Sequence, residues 1–388
     1  MKSVVKAGSK KIGLENIEGF TGKYTPTDSE FEGTGAYFDV GDIVYGKLRP
    51  YLCKVWLAEF SGNAVGDFYV YGVDDSAVAR YCFYWMLSDG FTSVCNAATC
   101  GTKMPRVSSQ FIDALSIPVP PLSTQHRIVS YLDEKTAAID GRVALLEKKL
   151  AAFKRLKASI INQAVTRGVE EWKMENGKWK VGGRPATADG RAVSMKPPRP
   201  LRDSGVDWIG KVPEGWEARL LKTLVDINNG ADYKHIETSS GIPVIGSGGQ
   251  FAYASKAMYD GEVLFLGRKG TIDKPMYFCG SFWAVDTMFY AIPMKSICCK
   301  YLYYYATRFP FAKFSTNTAL PSTTQTDLGN LVLWVPPLAE QRAIADYLDA
   351  ECAKIDNAVE LVAREIELYR KLKRSLINEV VTGRREVA

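Results

Sequence analysis

Histidine is nearly absent: the 388 residues hold only His126 and His235. So few imidazoles weigh against a histidine-dependent mechanism or a zinc centre. Eight cysteines, at 53, 82, 95, 100, 279, 298, 299 and 352, form no Cys-x-x-Cys pair. They are too sparse for a disulfide scaffold, and adjacent Cys298 and Cys299 are badly spaced for a tetrahedral zinc cage. No apolar run approaches the roughly 20 residues of a membrane span. The opening MKSVVKAGSKK lacks the apolar stretch of a signal peptide. The expectation is a soluble, cytoplasmic protein with no membrane role.

Catalytic signatures are missing too. There is no Gly-x-x-x-x-Gly-Lys-Ser/Thr loop, no Gly-x-Ser-x-Gly and no His-Glu-x-x-His. Nor is there the Asn/Asp-Pro-Pro-Tyr/Phe run of amino-methyltransferases. The glycine cluster at 246–249 lacks the strand–helix frame of a dinucleotide site and reads as a loop. The chain is expected to be non-catalytic, with no metal site.

What is present is an ordinary globular composition, 46% hydrophobic and 24% charged. The length suits about 2.6 domains at roughly 150 residues each. Net charge is +6, and residues 167–202 carry nine Lys/Arg against four acids, so most of the excess sits there. Rich also in Gly and Pro, this stretch reads as an irregular basic linker.

The main feature is an internal repeat. Residues 119–166 align without gaps on 335–382, with 21 of 48 positions identical. Upstream, Thr102 and Pro105 match Thr318 and Pro321 at the same offset. Both copies read as long helices that open after Val-Pro-Pro-Leu. Ser123 is placed to cap the first, and Ala339 leaves the second with a weaker cap. Apolar residues recur at alternating steps of three and four, as in a coiled-coil seam. In the first copy the seam includes Leu132, Ile139, Val143, Leu146 and Leu150; in the second, Leu348, Ile355, Val359, Val362 and Ile366. Lys157 and Lys373 interrupt it at equivalent places. Full antiparallel overlap would set Lys157 beside Asp349 and Lys373 beside Asp133, pairs that would fix register. The alternative is that each lysine extends to solvent.

Residues 1–118 and 203–334 precede the helices. Both are rich in aromatic and β-branched residues and in glycine, which suggests mixed α/β domains. GDIVYGKLRPYL (41–52) resembles GEVLFLGRKGTI (261–272): a turn, an apolar strand, then a basic loop. FYWMLSDGF (83–91) and YLYYYATRF (301–309) read as short apolar helices. The fold class is therefore α+β: two α/β domains, each followed by a long helix. Candidate DNA contacts are Lys47, Arg49, Lys103 and Arg106 in the first domain. In the second they are Arg268 and Lys269, with hydroxyls from Ser322, Thr323 and Thr324. Loop cations grip phosphates, and arginine reads guanine edges. The plainer reading is solvated loop charge. Tyr51, Trp56, Tyr303 and Tyr304 read as core.

The doubled Pro-Pro-Leu-x-x-Gln opening (Pro120, Pro121, Leu122, Gln125; Pro336, Pro337, Leu338, Gln341) and the Ile-Asp pairs Ile139–Asp140 and Ile355–Asp356 resemble the specificity subunit of type I restriction–modification systems. So does DSGVDWIGKVPEGWE (203–217), similar to the usual opening of a target-recognition domain. The resemblance covers nearly the whole chain. It implies target-recognition domains at 1–118 and 203–334, a long helix at 119–166, a second long helix and tail at 335–388, and the basic linker at 167–202. The helices would pair as an antiparallel coiled coil with pseudo-twofold symmetry and space two half-sites on double-stranded DNA. They would also dock two methyltransferase subunits, with Leu122, Gln125, Leu338 and Gln341 as candidate contacts. S-adenosylmethionine would be used by those partners, and ATP and Mg by restriction/translocase subunits; this chain would bind no cofactor. The first domain departs from the family in lacking a segment like VPEGWEARLLK, and three readings stay open: truncation at its N-terminus, a start at a different methionine, or a segment borrowed from elsewhere. Two other readings stay open: a coiled-coil scaffold without sequence-specific DNA binding, and a self-contained enzyme with degenerate motifs.

Overall fold

Proline has no N–H to leave unpaired, so it suits the position just before a helix. In the computed structural model, which describes residues 10–73, 75–169, 172–175, 178–181, 199–314 and 321–387, both long helices begin this way. The first spans Leu122–Arg167 and the second Leu338–Val381, 46 and 44 residues. The Pro121 carbonyl accepts from the Thr124 and Gln125 amides at 2.8 and 3.1 Å. The Pro337 carbonyl accepts from Glu340 and Gln341 at 2.9 and 3.1 Å. Ser123 therefore lies inside the first turn and is not the expected cap.

The chain divides into two compact units. One comprises the residues up to Leu150 and from Leu361; the other is Ala151–Glu360. Each contains a stretch of both long helices.

In the first unit, strand Gly62–Val65 lies between Lys11–Ile12, parallel, and Gly35–Phe38, antiparallel. Strand Ile43–Gly46 lies between Val55–Leu57 and Phe68–Tyr71, both antiparallel. Trp56, Phe38 and Val44 are fully buried in one core. A second core joins Tyr81, Phe91 and Cys95 to Ile128, Val129 and Leu132 of the first helix and Leu376, Ile377 and Val380 of the second. The helix stretches run antiparallel, linked by Arg142–Glu365 at 3.0 Å and Lys373–Asp140 at 2.9 Å. The apolar helix expected at 83–91 is split: one helix ends at Met86 and the next starts at Asp89, capped by Ser88.

The second unit carries a seven-stranded sheet. Its order is Val225–Asn229, Met288–Pro293, Tyr259–Gly267, Met276–Ala284, Ile242–Gly246, Gly249–Ala254 and Glu237–Thr238. Every neighbouring pair is antiparallel except Ile242–Gly246 with Met276–Ala284. The glycine cluster is the tight turn of a hairpin, with Gly246 opposite Gly249, so the loop reading holds. Ile161, Ala164 and Val165 share a core with Ile344, Ala345, Leu348 and the aromatic helix Cys299–Ala306. A separate antiparallel pair, Glu217–Leu220 with Val332–Val335, closes this unit. Among the described residues the equivalent stretch 116–119 has no strand partner. Val119 is 68% exposed where Val335 is 6%.

Every predicted seam residue is buried or half-buried, with Leu132 and Leu348 at 0% exposure. The ionic register differs from expectation. Lys157 bonds both carboxylate oxygens of Asp356 at 2.7 Å, and Lys373 bonds those of Asp140 at 3.0 and 2.9 Å. The partners lie one heptad beyond Asp349 and Asp133, whose carboxylates bond to side chains of the globular domains instead. Most of the predicted linker, and Thr318, lie outside the described residues. Within it, strands Trp172–Glu175 and Lys178–Val181 pair antiparallel. The alternation Trp-Lys-Met-Glu and Lys-Trp-Lys-Val is a strand pattern that the reading as irregular chain passed over.

Candidate nucleic-acid interface

In each unit a strand ends in glycine and runs into a basic loop. Strand Ile43–Gly46 is followed by Lys47, Leu48 and Arg49, and strand Tyr259–Gly267 by Arg268, Lys269 and Gly270. A Cβ on Gly267 would meet the Thr271 carbonyl oxygen at 2.4 Å, so only glycine lets the loop fold back this closely.

Each loop is clipped to a second loop by the same two backbone bonds. In the first unit the Arg49 amide donates to the Pro105 carbonyl at 2.7 Å, and the Val107 amide to the Lys47 carbonyl at 3.2 Å. In the second, Gly270 donates to Pro321 at 2.9 Å and Thr323 to Arg268 at 3.0 Å. Leu48 is bridged to Arg106 as Lys269 is to Ser322. The matched prolines, Pro105 and Pro321, are the pair found upstream of the sequence repeat at the same offset.

The clip gathers the predicted cations. In the first unit Lys47, Arg49 and Arg106 lie on the two clipped strands of chain. Exposed Lys103 sits in the loop that the Cys100–Arg106 bridge closes. Arg106 makes a bidentate pair with Asp67, both bonds at 2.9 Å, and Lys47 lies 3.9 Å from the same carboxylate. The bond from Arg106 holds the Asp67 carboxyl below its usual range. Two of the four cations are thus partly neutralised, whereas Arg49 is exposed. In the second unit Lys269 is exposed, and the Arg268 guanidinium donates to the Asp286 carbonyl at 3.2 Å.

Two expectations change. Thr323 is 4% exposed and its hydroxyl donates to the Gly267 carbonyl at 2.8 Å. It builds the clip and offers nothing to a phosphate. Thr324 caps the short helix Gln325–Gly329. Ser322 stays half-buried at the loop surface.

The expected partner contacts divide in the same way. Gln125 and Gln341 are 3% and 1% exposed. Gln125 donates to the Pro120 carbonyl at 2.8 Å; Gln341 donates to Pro336 at 2.9 Å and accepts from the Cys298 amide at 2.8 Å. Both glutamines lock the helix entry internally, which corrects their assignment to a partner surface. Leu122 is 46% exposed and Leu338 half-buried.

Sequence reasoning missed several features. Asp67 has no motif, since its partners lie in distant loops. Phe251 is 57% exposed beside a cavity of about 300 Å³, lined also by Gly246, Gly249, Val285 and Thr287. The Thr287 carbonyl accepts the Arg268 and Lys269 amides, so this cavity adjoins the second clip. Trp56 and Tyr304 are core as expected, but Tyr51 is 45% exposed. On the helices, Leu145 and Leu361 are repeat partners exposed at 60% and 66%; Leu156 and Leu372 are partners exposed at 48% and 50%.

Each unit thus joins a clipped pair of basic loops to stretches of both long helices. The family model for the type I restriction modification DNA specificity domain matches residues 38–151 and 213–367, and the chain belongs to that family. It is 33% identical over 167 residues to the type I restriction enzyme EcoDI specificity subunit of Escherichia coli, a match covering 42% of this chain and 37% of that subunit. It is 24% identical over 340 residues to the MjaVIII specificity subunit of Methanocaldococcus jannaschii, covering 78% and 69%. A structure solved to show complex assembly and conformational transition of the type I R-M system matches with a TM-score of 0.69 at 18% identity, over 96% of this chain and 90% of that one. That likeness establishes the fold.

Proposed function

We propose that this chain is the DNA-reading subunit of a type I restriction–modification complex, with residues 1–118 and 203–334 each reading one half of a bipartite duplex target. The observation that carries the proposal is the duplicated clip, which presents cations on equivalent loops of both units. Lys47, Arg49, Lys103 and Arg106 serve one half-site; Arg268, Lys269 and Ser322 serve the other. These residues grip phosphates and read base edges. The family match supports recognition as the chain's task, with catalysis left to partners.

The segments 119–166 and 335–388, which hold the two long helices and the C-terminal tail and are joined through 167–202, carry two methyltransferase subunits. Leucines exposed at matched repeat positions supply apolar surface off the seam, and Leu122 and Leu338 extend it at the helix starts. Those partners use S-adenosylmethionine; restriction/translocase subunits add ATP and Mg. The complex works on DNA in the cytoplasm.

The test is a methylome. The chain is co-expressed with a methyltransferase subunit in a methylation-free host, and N6-methyladenine is mapped. A two-part motif methylated in both halves supports the proposal. A stable complex that adds no methylation would identify a scaffold instead.

A further inference from the structure

Two aspartates at equivalent repeat positions each receive a pair of side chains spaced four residues apart on a short domain helix. In the first unit Asp133 accepts Arg80 Nε on both oxygens at 2.7 Å and the Tyr84 hydroxyl at 2.5 Å. In the second, Asp349 accepts Lys300 at 2.5 Å and the Tyr304 hydroxyl at 2.7 Å. Four-residue spacing puts both donors on one helix face, so each carboxylate is held from one side by a cation and a phenol.

The opposite long helix supplies a second hold. Asn378 accepts the Gly90 amide at 2.9 Å, and its repeat partner Asn162 accepts Arg308 Nε at 3.1 Å. Each domain is therefore tied to an aspartate on one long helix and an asparagine on the other. Apolar packing between a domain and a helix is non-directional and specifies the seating less sharply than hydrogen bonds do. The aspartate ties are charge-assisted and directional, and the asparagine tie adds a directional hydrogen bond on the other helix. Ties on two different helices resist both sliding and rotation.

We infer that Asp133 with Asn378, and Asp349 with Asn162, are positioning residues that fix each recognition domain on the helices and thereby set the spacer length the protein accepts. The inference rests on the DNA-reading function proposed above. Its scale is suitable: slipping by one helical turn moves a domain by about 5.4 Å, more than the roughly 3.4 Å between successive phosphates of a strand along the duplex axis. Losing a tie should thus admit spacers one base pair off the natural length, with both half-site sequences unchanged. A merely structural role would lower methylation at all sites alike.

The experiment maps methylation by the complex carrying wild-type chain, Asp133→Asn or Tyr84→Phe. The expected result is the same two half-sites, with off-length spacers enriched at least about tenfold. Wild type and variants sharing one fixed spacer would overturn the inference and leave the proposed function standing. Wild type without bipartite methylation would overturn the function, and this inference with it. Should Asp133→Asn fail to fold, Tyr84→Phe decides, because it removes one hydroxyl and keeps the buried ring: off-length spacers support the inference, an unchanged spacer overturns it.

Discussion

Arg49 and Gly270 hold the same place in the two clips, and both have left-handed backbone, with φ of 51° and 82°. Each donates its amide to the matched proline carbonyl, Pro105 or Pro321. Glycine adopts this conformation freely, whereas an L side chain there costs roughly 1–2 kcal/mol. An arginine kept in that place stores strain where the chain is proposed to meet DNA.

Arg49→Gly should therefore leave stability within about 1 kcal/mol of wild type, since relief of strain offsets the greater freedom of unfolded glycine. Its salt slope for DNA binding should fall by about one charge. Gly270→Ala should cost about 1–2 kcal/mol through φ alone, as nothing lies within 4 Å of the added Cβ. Denaturant midpoints and binding across a salt series check both. A strongly destabilised Arg49→Gly would show that the arginine supports the fold.

The two repeat-related lysines should behave differently. Lys373 is 7% exposed, and Asp140 answers both it and Lys23. Asp140→Ala leaves that lysine buried without a counter-charge and should cost about 3 kcal/mol. Lys157 and Asp356 keep side-chain exposures of 33% and 57%. Asp356→Ala should then cost under about 1 kcal/mol. Thermal unfolding of the two variants tests the contrast; equal losses would contradict it.

The helices, their seam and the duplication were legible because they repeat locally: period and identity survive without any knowledge of the fold. Register was not. Symmetric overlap would pair Lys157 with Asp349, but Lys300 and Tyr304 already occupy that carboxylate, and only the folded domain brings them there. The same limit hid Asp67 and misplaced Gln125, Gln341 and Thr323. Their partners are backbone carbonyls or loop cations, which leave no spacing in the sequence. The basic loops were found by composition, yet their correspondence is one residue further along than the simple alignment, since Gly46 matches Gly267 in the clip.

Asp67 makes the first clip pH-sensitive. Its carboxyl lies below its usual range because Arg106 bonds the charged form. A depressed folded value means the pair's stabilisation is present above the unfolded carboxylate value of about 3.9 and is lost as pH falls through the folded value. Asp67→Asn should abolish that acid-side contribution. It should also free Arg106 and Lys47 for phosphate, raising non-specific DNA affinity and steepening the salt slope by about one to two charges. Titrated unfolding and binding isotherms read the two effects; an unchanged slope would assign both cations to the fold.

Leu361 and Leu372 are 66% and 50% exposed on the second long helix, and Leu368 between them is 65% exposed. Their spacings of seven and four residues put them on one face. The seam of the same stretch, Val362 and Ile366, is 4% and 7% exposed, so the leucine face is separate from helix pairing. Apolar side chains repeated in solvent without an intramolecular role point to a partner. Replacing Leu361 and Leu372 with Glu should leave the melting temperature within a few degrees of wild type, because no buried contact is lost. Capture of the methyltransferase subunit should weaken by at least about tenfold, the loss expected when even one well-buried anchor is removed. Ile366→Glu on the neighbouring face should unfold the helix pair instead. Wild-type capture by the double variant would move the docking surface elsewhere, leaving the seam assignment to be judged by Ile366 alone.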